Sequence, residues 1–153
     1  MIRRARSARL TALRAALASL LAVAAAGDAR AANPDFTCVL GHRSATYDSL
    51  KALPPDFRKT VADKIGVMAD RGEFFNATDV IMRPGPGRRL IRAGASGGYR
   101  YIWYEQGGIA YRKQIVIFAT DPNGRVHVLA DETARGNLCA ETDRLLGRPG
   151  PDQ

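Results

Sequence analysis

Histidine is almost missing from this chain: His42 and His127 are the only two. A metal centre needs several His, Cys or acid ligands at close spacing, and two remote histidines make a poor set. Neither histidine has a serine or cysteine nucleophile at motif spacing. Ser96 lies in Ala95-Ser96-Gly97, which lacks the glycine that should open a nucleophile elbow. Gly94, Gly97 and Gly98 stand between two expected strands and do not open a helix, so they do not form a phosphate loop. Asp131-Glu132 is an adjacent acid pair at an expected strand end, where a solvated turn is the ordinary role. No catalytic residue and no cofactor is expected. A hydrolase using His127 or His42 is the least favoured reading.

Long apolar runs are also missing. The longest, residues 15–26, reads AALASLLAVAAA and is too short for a bilayer that needs about 20 residues. It follows a stretch rich in arginine and precedes Ala29-Arg30-Ala31. That order is the layout of a secretory signal peptide over residues 1–31, with cleavage after Ala31 preferred to Ala26. Arg3-Arg4 is not followed by a convincing twin-arginine motif, so the general secretory route is expected. The formal charge of +8 suggests a nucleic-acid binder at first. The signal segment, however, holds six of the 23 basic residues and one of the 15 acids. The remainder has 17 against 14, a net of about +3. Charge therefore argues against nucleic acid as a partner. A periplasmic or secreted protein of the bacterial envelope is expected.

Cysteine is scarce in an informative way. Only Cys38 and Cys139 occur, one near each end of the expected domain. In an oxidising compartment such a pair reads as a disulfide.

What is present is a pattern of one helix followed by strands. Pro54-Pro55-Asp56 opens a helix over 54–71, with Phe57, Val61, Ile65 and Met68 as its apolar stripe and Gly72 as its stop. A helical turn is expected over 46–50. Strands are expected at 79–83, 88–93, 99–106, 109–119 and 125–131. A short helix holding Cys139 is expected over 137–146. Residues 32–146 form one α+β domain: an amphipathic helix packed on an antiparallel meander sheet of four or five strands, with a short C-terminal helix. A disordered tail, 147–153, follows.

Residues 99–120 hold the one tryptophan and a cluster of tyrosines. With Gly107-Gly108 as a two-residue turn, Tyr104 faces Tyr111 and Trp103 faces Arg112. Phe118 is then expected opposite His127. One sheet face is mostly aliphatic. The other carries Tyr99, Tyr101, Trp103, Arg112, Gln114 and His127, which makes these six the candidate binding residues. Two readings stay open. The face meets a partner, or it packs under the C-terminal segment that the disulfide brings back. A register slip of one residue would exchange the faces.

Residues 83–113 add Arg83, Arg88, Arg89, Arg92, Arg100, Arg112 and Lys113 against one acid, Glu105. This local excess suits an envelope protein with an acidic surface, or an anionic glycan or lipid surface. It also suits strand edges kept soluble by charge. Finally, Ser96-Gly97-Gly98-Tyr99, then Trp103 and Gln106-Gly107-Gly108, is loosely similar to a pattern in small periplasmic inhibitors of c-type lysozyme. From this short stretch, the resemblance implies inhibition of a cell-wall hydrolase and a β-barrel beginning near the first cysteine. The helix expected at 54–71 departs from that family.

Overall fold

A computed structural model describes residues 38–81 and 83–147 of the protein. The expected signal segment, 1–31, and all of the expected tail beyond Gly147 lie outside these residues. The fold is α+β, with one antiparallel five-stranded sheet and two helices. The strands are β1 (Ala45–Tyr47), β2 (Arg88–Ser96), β3 (Tyr99–Gln106), β4 (Arg112–Thr120) and β5 (Val126–Thr133), lying side by side in that order. Helix α1 (Pro55–Lys64) lies between β1 and β2 in the chain, and α2 (Leu138–Leu146) ends the domain. The barrel implied by the resemblance does not form: β1 and β5 are the two edges of an open sheet.

Helix α1 starts where expected. Pro55 occupies the first turn, where a missing N–H costs nothing, and Asp56 suits the dipole. It stops earlier than expected. Gly66 takes the left-handed conformation (φ 95°), and its N–H reaches back to the Val61 and Ala62 carbonyls. Gly66 is thus the terminating glycine, not Gly72. The turn expected at 46–50 is instead β1 followed by a short 3-10 helix, Leu50–Ala52, capped by Ser49. The strand expected at 79–83 is absent among the described residues. This stretch bends, with Val80 and Ile81 exposed; Met82 lies outside the description. The fifth strand is β1.

The expected hairpin register is also corrected. Gln106 pairs with Arg112, Tyr104 with Gln114 and Trp103 with Ile115. Residues 107–111 therefore form a five-residue loop, and the slip from the two-residue turn is three. An odd slip turns β4 over relative to β3. The cause sits at Gly107. Its N–H donates to the Gly87 carbonyl at 2.9 Å, and a Cβ there would lie 1.8 Å from the Asn76 carbonyl oxygen. The chain is held against the neighbouring loop and is not free to turn at once. Gly107→Ala is expected to destabilise by about 1–3 kcal/mol, because backbone must move to admit the methyl. Urea unfolding measures it, and an unchanged midpoint would contradict the contact. At β4–β5, Thr120 pairs with Val126, not with Arg125, so His127 meets Ala119 and Phe118 meets Val128; a bulge between Ile117 and Phe118 then sets Ile117 opposite Ala130.

Both faces of the central strands are buried. One cluster joins Phe57, Val61 and Met68 with Leu90, Ile102, Tyr104, Val116 and Phe118. Phe57 meets Phe118 edge-on, with centroids 5.7 Å apart. The second cluster, on the other face, joins Ile91, Tyr101, Trp103, Ile115 and Ile117 with Leu138, Cys139 and Leu145 of α2. Leu90 and Ile91, adjacent in β2, enter opposite clusters by ordinary alternation, and the bulge between Leu90 and Arg92 then sets Arg92 opposite Trp103. Cys38 and Cys139 form the disulfide, which ties α2 to the chain before β1.

Candidate functional site: a basic recess at one end of the sheet

The six candidate binding residues are not brought together. Tyr101 and Trp103 are both 0 % exposed, with centroids 5.3 Å apart, in the cluster under α2. The aromatic face is therefore closed, and packing under the C-terminal segment is the arrangement that forms. The Trp103 indole N–H donates to the Thr142 hydroxyl of α2 at 2.8 Å. The cation over its ring is Arg92, at 5.4 Å; Arg112 lies elsewhere, opposite Gln106. Tyr99 and His127 flank Ala119 in one row, Tyr99 half-buried and His127 exposed.

Arg112 and Gln114 do share a site. The register places Arg88, Gln106 and Arg112 in one row across β2, β3 and β4, with Tyr104 and Gln114 paired in the row of Leu90. Lys64 reaches the same place from the end of α1. Together these side chains line a recess of about 270 Å³. Asp131 is the one acid among the described lining residues, against Lys64, Arg88 and Arg112. Gln114 is held by the Thr133 hydroxyl, which donates to its side-chain oxygen at 3.2 Å. The Arg88 Nε is buried without a hydrogen-bond partner. Burial raises the Tyr104 pKa, and Asp131 raises it further, against the smaller opposing effects of Arg88 and Arg112. Tyr104 is therefore a neutral hydroxyl below about pH 10. The recess offers an oxyanion several N–H donors and net positive charge.

Other members of the basic run have internal roles. Arg89 pairs with buried Glu105 at 2.6 Å and covers the Phe75 ring. Arg100 pairs with Asp56 at 2.6 Å and lies over Phe57. Arg83 lies 3.6 Å above the Phe74 ring. The Arg100 hydrogen bond holds the Asp56 carboxyl below its usual pKa of 3.8, more than burial raises it. A depressed acid stabilises the fold above its unfolded pKa and loses that contribution as pH falls through the folded one. Asp56 is well exposed, so the effect is within about 1 kcal/mol. Arg100→Gln is expected to flatten the stability profile below about pH 4. Equal acid slopes for variant and parent would exclude the pair as a contributor.

A second recess, of about 440 Å³, lies beside the disulfide and is lined by Cys38, exposed His42, Ser44, Arg92 and Tyr101. Ser96 points inward, its hydroxyl donating to the Arg43 carbonyl at 3.2 Å. No group of His, Cys, Asp and Glu able to hold a metal occurs among the described residues. No helix among them is long and apolar enough to cross a membrane. Comparison with family models, curated proteins and solved structures finds no match to the chain.

Of the recess residues, the sequence pattern singles out Arg112 and Gln114. It does not single out Lys64 or bring Arg88 to them, because these meet Arg112 only through the end of α1 and the observed register. The Lys-Ile-Gly sequence at 64–66 was the available signal for that helix end.

Proposed function

We propose that this is a secreted, non-enzymatic binding or accessory protein of the bacterial envelope, which meets an acidic partner through the recess of Lys64, Arg88 and Arg112. The observation that carries the reading is the convergence of three cations and the side-chain amides of Gln106 and Gln114 on one open recess with a single acid. Secretion is supported by the N-terminal sequence layout, and the disulfide fits an oxidising compartment. In this reading α1 covers the first sheet face with Phe57 and Val61, and its end delivers Lys64 to the recess.

Retention on an immobilised acidic polymer such as polyglutamate tests the reading. The parent is expected to elute at higher salt than the Lys64→Glu/Arg112→Glu variant, both being exposed positions whose change leaves the core intact. Identical elution would remove the recess from the argument. Lysis by c-type lysozyme is expected to continue undiminished in excess protein; loss of lysis would favour the inhibitor reading.

A further inference from the structure

Large exposed apolar side chains gather beyond one end of the sheet. Val80 is 65 % exposed, Ile81 73 % and Ile109 95 %, and Phe74 and Tyr111, at the borders of the same two loops, are exposed as well. These loops are fastened together. The Asn76 N–H donates to the Pro86 carbonyl, and its side chain donates to the Gly85 carbonyl, each at 2.9 Å, so that Gly85 and Pro86 are held against Asn76. Gly107, which begins the other loop, is bonded to Gly87 and lies against Asn76. Both loops continue directly into the basic row: Gly87 precedes Arg88, and Tyr111 precedes Arg112. Arg83, over the Phe74 ring, adds a cation within the apolar loop itself.

We propose that this end of the molecule docks on an anionic lipid surface, the aliphatic loop residues entering the headgroup boundary while the basic row contacts phosphates. The proposal rests on the functional reading above and names its acidic partner. The chemistry favours lipid over protein. Protein hot spots centre on Trp, Tyr and Arg seated in pockets, whereas here the most exposed side chains are branched aliphatics on loops beyond the strand ends. Aliphatic side chains with adjoining Arg and Lys are the combination that holds a protein at a lipid interface by apolar burial plus attraction to anionic headgroups. Neither half suffices alone, since exposed aliphatics have no gain in water and exposed cations are screened by salt.

Co-sedimentation of the purified protein with phosphatidylglycerol–phosphatidylcholine vesicles tests this, beside pure phosphatidylcholine vesicles and the polyglutamate column. The protein is expected to sediment with the anionic vesicles only. Ile81→Asp and Ile109→Asp each are expected to lower that binding at least about tenfold while leaving polyglutamate retention unchanged. Arg112→Glu is expected to weaken both. Absence of sedimentation with anionic vesicles at low salt overturns the proposal, and retained polyglutamate binding in that case leaves the recess reading standing. Parent-like sedimentation of both aspartate variants also overturns it. So does a dimer by light scattering that Ile109→Asp converts to monomer without changing vesicle binding, because the loops would then be a self-contact.

Discussion

Changing both Cys38 and Cys139 to alanine is expected to destabilise the protein by about 4–5 kcal/mol in the chain-entropy model. The two residues are 101 positions apart, so the bond closes most of the domain into one loop. Opening it raises the entropy of the unfolded chain, and the long loop makes that gain large. There is a local effect as well. Cys139 lies in the first turn of α2, whose Leu138 and Leu145 cover Tyr101 and Trp103. Without the tie, the helix is held by those apolar contacts and by its Asn137 cap, which accepts from the Cys139 and Ala140 N–H groups. The chain has a single tryptophan, so its fluorescence reports on this cover. The variant is expected to unfold at much lower urea, with emission shifting red as Trp103 meets water. A midpoint equal to the parent's would mean that the bond contributes nothing to the fold.

Trp103→Ala is expected to cost about 3–5 kcal/mol. The ring is wholly buried between Tyr101, Arg92 and α2, so truncation removes a large apolar volume from a closed cluster. It also leaves the buried Thr142 hydroxyl without the indole N–H. Trp103→Phe separates the two losses by keeping most of the ring. A cycle with Thr142→Val is expected to show a coupling of about 0.5–1.5 kcal/mol for the hydrogen bond. Urea unfolding of the four chains gives it. A Trp103→Ala cost below about 1 kcal/mol would instead place the tryptophan on an open surface. The consequence for binding work is direct: loss of binding in Trp103→Ala reports unfolding, whereas loss in Arg112→Glu reports the site.

Several elements followed from local chemistry and form where expected. Two prolines and an acid start α1, and Asp121-Pro122-Asn123-Gly124 makes a turn, with the Asp121 carboxylate accepting from the Asn123 and Arg125 N–H groups. Residues 115–118 of β4 are Ile-Val-Ile-Phe, with no polar residue on either face. Such a run belongs to a strand covered on both sides. An open aromatic face would have needed alternation there. In β5, where no residue is fully buried, polar residues interrupt the apolar ones at His127 and from Asp131 to Thr133.

The α+β class, the order of α1 and then strands β2 to β5, the disulfide partners and the basic character of the 83–113 segment are all contained in the linear chain, because each depends on residue type and composition. Which tyrosines are covered, where Arg112 lies and which cations meet are not. They depend on a three-residue difference in one hairpin, and that difference is imposed by Gly87 and Asn76, some twenty to thirty positions away from Gly107 in the chain. Side chains in a strand alternate with period two, so a remote contact that shifts pairing by an odd number sends every residue of β4 to the opposite face. Thus Ile115 and Ile117 join Trp103 in the core under α2, and Arg112 stands with Arg88 and Lys64 at the recess.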